Sequence, residues 1–170
     1  MATDESPLAA ESARRSLARF ELAAIRQRNA MRVRLGLGDD ELTTLLYLTE
    51  HERLTQRQLV AISTLTRSGV GAMVQRLEDA GLVERVPDPH DRRVRLLQLT
   101  ARGRQRMRRA RRASDAARER LLAGGSDAEL EALARLLSAV AEATERDADA
   151  SSGHVSPAAP RSQADWRRWG

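Results

Sequence analysis

The stretch TQRQLVAISTLTRSGVGAMVQRLEDAGLVERVPDPHDRRVRLLQLTARG, Thr55 to Gly103, decides how this chain folds. Thr55 can cap a helix, Gln58 stands at the capping-box position, and Leu54 can close over Leu59 as a hydrophobic staple. That helix should end near Ser63. Thr66 can cap the next one, with Leu65 and Val70 repeating the staple. Val70, Met73, Val74 and Leu77 recur at offsets of three and four and therefore face inward. Arg67, Ser68, Gly71, Ala72, Gln75 and Arg76 are left facing outward. Gly81 falls where a left-handed cap would stop the helix, and Leu82 and Val83 open an apolar strand. Pro87, Asp88, Pro89 and His90 favour a turn, Arg93 to Leu99 supplies the return strand, and Asp91-Arg92-Arg93 occupies the hairpin tip. Thr100 can cap a further helix running to about Leu122.

Outward from this stretch, Ser12 to Leu35 reads as a long helix broken by Gly36 and Gly38. Asp39 can cap a helix over Asp40 to His51, where Leu42, Leu45, Leu46 and Leu48 make a dense apolar face. Beyond Gly124 and Gly125, Ser126 with Glu129 gives another capping-box signature. Leu130, Leu133, Leu137 and Val140 stripe the helix that follows to about Arg146, and Leu136 broadens the stripe. The segments 12–35 and 126–146 both need cover, which points to a dimer interface of intertwined terminal helices; packing within one chain is the alternative. Residues 39–103 would form the central domain, 101–122 a linking helix and 148–170 a disordered tail carrying Trp166 and Trp169.

All 29 basic residues are arginine, and the formal net charge is +5. The charge is sorted: from Arg85 to Arg120 thirteen arginines face four acids, whereas from Asp127 to Asp149 seven acids face two arginines. A basic middle suits an anionic polymer, although part of the run from Arg102 to Arg112 reads equally as a solvated helix face. Without cysteine, disulfides and thiolate chemistry are excluded. His51, His90 and His154 are too scattered to suggest a metal cluster. No apolar run approaches the roughly 20 residues that cross a bilayer, so the cytoplasm is the expected location. No nucleophile, phosphate loop or paired acids suggest an enzyme.

A helix can enter a major groove only if its leading outward side chains are small or polar, and Arg67-Ser68-Gly69-Val70-Gly71-Ala72 meets that condition. Thr66 and the helix N-terminus can hold a phosphate, Arg67 or Arg76 a phosphate or guanine, and Gln75 an adenine or phosphate. At the hairpin tip, an extended backbone would let Asp91 orient the guanidinium of Arg93 into a minor groove. Arg92 and Arg95 suit phosphate contacts. A helix pair and hairpin that mediate protein assembly without reading DNA form the competing possibility.

The segments Leu77-Glu78-Asp79-Ala80-Gly81-Leu82-Val83-Glu84-Arg85, Asp88-Pro89-His90-Asp91-Arg92-Arg93 and Leu99-Thr100-Ala101-Arg102-Gly103 resemble the MarR family of winged helix-turn-helix regulators. The resemblance extends over roughly Ser12 to Arg146. It implies a mainly α fold with a small β-hairpin wing and N- and C-terminal dimerisation helices, and a homodimer on a pseudo-palindromic DNA site. Repression relieved by a small aromatic or phenolic effector is implied too, with a cavity lined by the first, second and fifth helices. Carried over, Thr66 to Ala80 becomes the recognition helix, with Thr66, Arg67, Ser68, Gln75 and Arg76 as contacts and Asp91 and Arg93 as the wing clamp. Gly69 and Gly71 depart from the serine or threonine common at their positions.

Overall fold

A computed structural model describes residues 7–151. The elements run α1 (Pro7–Leu35), α2 (Asp39–His51), β1 (Arg53–Thr55), α3 (Gln56–Ile62), α4 (Arg67–Asp79), β2 (Val83–Pro87), β3 (Arg95–Leu99), α5 (Ala101–Ala123) and α6 (Asp127–Ser151). The chain divides into two compact units at the Gly38–Asp39 junction. In the first, α1 begins at Pro7, earlier than Ser12, because a proline lacks only a donor that the first helical turn leaves unused. It stops at Gly36, whose φ of 63° only glycine adopts freely.

The second unit is built around α2 and α4. Leu42, Leu45 and Leu48 of α2, Leu59 of α3 and Val70, Met73, Val74 and Leu77 of α4 are buried with Leu82, Leu97, Leu99 and Met107. Each large side chain so buried contributes roughly 1.5–3 kcal/mol. Thr44 is buried among them, and its hydroxyl donates to the sulfur of Met73 at 3.7 Å.

The expected two-stranded hairpin is the larger part of a three-stranded antiparallel sheet, ordered β1-β3-β2. Arg53–Thr55 adds to the free edge of β3, pairing Leu54 with Leu97, and Leu54 is wholly buried. The residue read as a helix staple is therefore also a strand residue. Pro87 closes β2 opposite Arg95. The amide of Asp88 donates to the Val94 carbonyl at 3.0 Å, so by ladder alternation Pro87 sits at a position that needs no donor.

The junction of helix and wing is closed by local chemistry. At the end of α4 the Gly81 amide donates to the Glu78 carbonyl at 2.8 Å and the Leu82 amide to the Leu77 carbonyl at 2.9 Å, a Schellman arrangement with Gly81 at φ 65°. The Thr100 hydroxyl donates to the Gly81 carbonyl at 2.6 Å and accepts the Gly103 amide at 3.0 Å, while the Thr100 amide donates to Leu82 at 3.0 Å. A Cβ at Gly103 would collide with the backbone carbonyl of Leu82. The segment Leu99 to Gly103 is thus a packing motif, its glycine set by the approach of one backbone to another.

Ser126 donates through both its amide and hydroxyl to Glu129, at 2.9 and 2.7 Å, and α6 then runs on to Ser151. The first four residues of the expected tail therefore close this helix. The remainder of that tail, with Trp166 and Trp169, lies outside the described residues.

Candidate nucleic-acid interface

The helix-turn-helix forms where its caps predict. Thr55 accepts the Gln58 amide at 3.2 Å, and the Gln58 side chain accepts the Thr55 amide at 2.6 Å, completing the capping box of α3. Thr66 accepts the Gly69 amide at 3.2 Å and starts α4. Between the two helices, Asp40 of α2 accepts both the amide and the hydroxyl of Thr64, at 3.0 and 3.1 Å. Sequence spacing gave no sign of this clasp, which ties the turn to the first turn of α2.

Because Val70, Met73, Val74 and Leu77 take the buried face, Thr66, Arg67, Ser68, Gln75 and Arg76 are all exposed. The Thr66 hydroxyl is engaged by the cap and lies 3.1 Å from that of Ser68, so an anion at this terminus would meet chiefly backbone amides and Ser68. Gln75 donates to Asp79 at 2.9 Å, leaving its oxygen and a second N–H free in direction. Arg76 differs from its neighbours: its Nε donates to Glu41 of α2 at 2.9 Å.

The two helix glycines have different reasons. A Cβ at Gly69 would press on Leu65 Cβ at 3.2 Å and on the Thr66 hydroxyl at 3.4 Å, so the cap itself favours glycine. At Gly71 the nearest atom is the Gln56 amide nitrogen at 3.7 Å, and the protein leaves room for a methyl. Gln56 and Arg57, both exposed at the start of α3, were not among the expected contacts. Only their position after the capping threonine could have marked them.

Asp91, Arg92, Arg93 and Arg95 are exposed on the wing. The backbone at the tip turns instead of running extended. Asp91 accepts the Arg93 amide at 2.9 Å through its side chain, and its carbonyl accepts the Val94 amide at 2.9 Å. Asp88 makes the same side-chain turn with the His90 amide at 2.7 Å. Asp91 therefore shapes the backbone beneath Arg93, in place of the expected carboxylate–guanidinium contact, because a backbone amide two residues on is the nearest donor an Asp can reach.

Behind the wing lies a cleft of about 620 Å³ within the second unit. Leu48, Leu99 and Met107 form its apolar floor, and Arg53, Arg104, Arg108 and Arg111 stand around it with Glu52 and Asp115. It draws on α2, β1, β3 and α5, where the resemblance implied helices one, two and five. Glu52 at its rim has φ 63°, a left-handed conformation that costs a non-glycine residue roughly 1 kcal/mol or more. Arg53 donates to Gln98 at 3.2 Å, and Gln98 to Glu84 at 2.9 Å, so one polar ladder crosses from the cleft to the outer wing strand.

A helix-turn-helix followed by this sheet is a winged-helix fold. Residues 35–94 match the model of the MarR family. The chain is 28% identical to RV1404 from Mycobacterium tuberculosis, with a TM-score of 0.58 over 84% of this chain and 97% of that one. YusO from Bacillus subtilis is 22% identical, with a TM-score of 0.55 over 82% and 99%. A MepR variant from S. aureus, solved bound to an oligodeoxyribonucleotide, is 23% identical, with a TM-score of 0.50 over 76% and 96%. The last two bear on the fold alone. No curated protein matches the chain. The family match takes in α2, the helix-turn-helix and β2 with the wing tip. No described helix is long and apolar enough to cross a membrane.

Proposed function

We propose that the protein is a ligand-responsive repressor that acts as a homodimer on a pseudo-palindromic operator, with α4 of each protomer in a major groove and each wing in an adjacent minor groove. The observation that carries this reading is the division of α4 into a buried apolar face and an exposed face of Arg67, Ser68 and Gln75 with Gly71 half-buried beside them, followed in sequence by the exposed arginines of the wing. Arg67 and Gln75 read or approach bases, Ser68 and the α4 N-terminus hold phosphate, Arg93 enters the minor groove, and Arg92 and Arg95 lie along the backbone. The DNA-bound state of the MepR variant supports the same use of the fold.

Dimerisation is supported by apolar side chains left open on the terminal helices. Phe20, Leu22 and Ile25 of α1 are each 57% exposed, and Leu136 of α6 is 66% exposed. Such area is unusual on a free helix and is what a helical partner would cover. The effector belongs in the arginine-rimmed cleft, whose apolar floor and cationic edge suit a small aromatic or phenolic anion. A cytoplasmic site of action follows from this role.

Selection of DNA from a random library by the purified protein tests the proposal. Recovery of an inverted repeat, lost with rising salt, is the expected result. Arg93→Ala should lose roughly 1–3 kcal/mol of affinity with the dimer intact. No enrichment even at low salt would instead favour a protein-assembly module.

A further inference from the structure

We propose that Arg76 is a positioning residue, which together with Glu41 fixes the angle of the recognition helix on α2 and carries no DNA phosphate. This rests on the DNA-reading role above and reassigns one member of its contact set. The Arg76 Nε to Glu41 Oε1 distance is 2.9 Å; the Glu41 side chain is 15% exposed and that of Arg76 is 61% exposed. The carboxylate is thus largely withdrawn from water and depends on ionic partners for its solvation.

Each charge also suits its own helix. Glu41 lies in the first turn of α2 with Asp39 and Asp40, and Arg76 in the last turn of α4, where the helix dipoles favour an anion and a cation respectively. The pair is therefore stable without DNA. A phosphate at Arg76 would have to displace Glu41 and stand near the acidic turn that holds it, a repulsive arrangement for an anion.

The neighbouring acid completes the device. Asp40 holds the turn at Thr64, and Glu41 holds Arg76 near the far end of α4. Ten helical residues from Thr66 to Arg76 span about 15 Å, so a swing of about 10° about the turn would carry Arg76 some 2–3 Å, beyond hydrogen-bond tolerance. Two consecutive residues of α2 thereby remove a rotation that an apolar face alone permits.

The test uses the full-length protein with its selected DNA, comparing Arg76→Gln, Glu41→Gln, their double variant and the charge-swapped Arg76→Glu/Glu41→Arg pair. Affinity is measured across a salt series and stability by thermal unfolding. A positioning role predicts a loss of roughly fivefold for each single variant, with the dependence of affinity on salt unchanged. The double variant should be no worse than the singles, and the swapped pair should recover binding relative to Arg76→Glu alone. The proposal is overturned if Arg76→Gln flattens the salt dependence by about 0.9 for each phosphate lost, or if Glu41→Gln tightens binding. It is overturned also if a folded swapped pair binds no better than Arg76→Glu. Should the swapped pair not fold, the direction of Glu41→Gln decides. A parent chain that binds no DNA would remove the DNA-reading role separately, and the pair is then judged by unfolding, where strictly additive losses for the two singles would sink it.

Discussion

Helix α4 is placed by residues distant in sequence, through the Thr64 clasp to Asp40 and the Arg76 bridge to Glu41, 24 and 35 positions away. The wing tip is shaped by bonds that span at most the six positions from Asp88 to Val94. A helix that reads base edges must hold its axis against a fixed groove, so its orientation is set by the core. A loop that inserts one arginine needs only a reproducible local turn, and its reach can vary with the groove it enters. The two meet at the seam formed by Gly81, Leu82, Thr100 and Gly103.

Breaking that seam should have the largest effect. Gly103→Ala drives a methyl into the Leu82 carbonyl, a backbone atom with little freedom to move, and should cost about 3 kcal/mol in thermal or denaturant unfolding. An unchanged midpoint would show that helix and wing are not joined there. Asp91 sharpens the contrast at the tip. Asp91→Asn keeps a side-chain oxygen for the Arg93 amide and should preserve DNA affinity, whereas Asp91→Ala should weaken it roughly fivefold with no change in unfolding midpoint. Equal losses for both variants would instead mean that the charge of Asp91 matters to Arg93.

Gly71→Ala probes the other region. The protein has space for the methyl, so stability should rise by up to about 1 kcal/mol. DNA binding should fall if the backbone lies against the groove; unchanged affinity would remove that reason for glycine. The smallest effect is expected at His51, stacked on Tyr47 with centroids 5.7 Å apart at the end of α2. Partial burial lowers its pKa, against an opposing influence of Glu50. Below about 6.5 the unfolded chain takes up this proton more readily than the folded one, so the contribution of neutral His51 to stability is full above that pH and lost as pH falls through the depressed folded value. His51→Gln should flatten the acid side of the stability profile slightly.

Much of the fold could be read from the chain because its signals are local. Thr55 with Gln58, Thr66, Gly81 and Thr100 each mark a boundary through bonds within a few residues, and the spacing of Val70, Met73, Val74 and Leu77 names the face of α4 that is buried. What escaped is non-local or very short. Arg53–Thr55 has no alternation long enough to identify a strand, and becomes one only because β3 offers an edge. The pairings of Asp40 and Glu41 depend on how α2 crosses the helix pair, which no spacing encodes. At the wing the exposure of Asp91, Arg92, Arg93 and Arg95 was legible, but not the partner of Asp91, because a carboxylate two positions from both an amide and a guanidinium can satisfy either.

The position of β3 between β1 and β2 has a consequence for engineering. The return strand of the wing is also the neighbour of the three residues that lead into α3. A foreign hairpin substituted for residues 83–99 would strip Arg53, Leu54 and Thr55 of their pairing unless it supplied a matching edge, and with them the anchor of the first helix. Wings in this architecture are therefore exchangeable only as a tip, between Asp88 and Val94, where no strand depends on them.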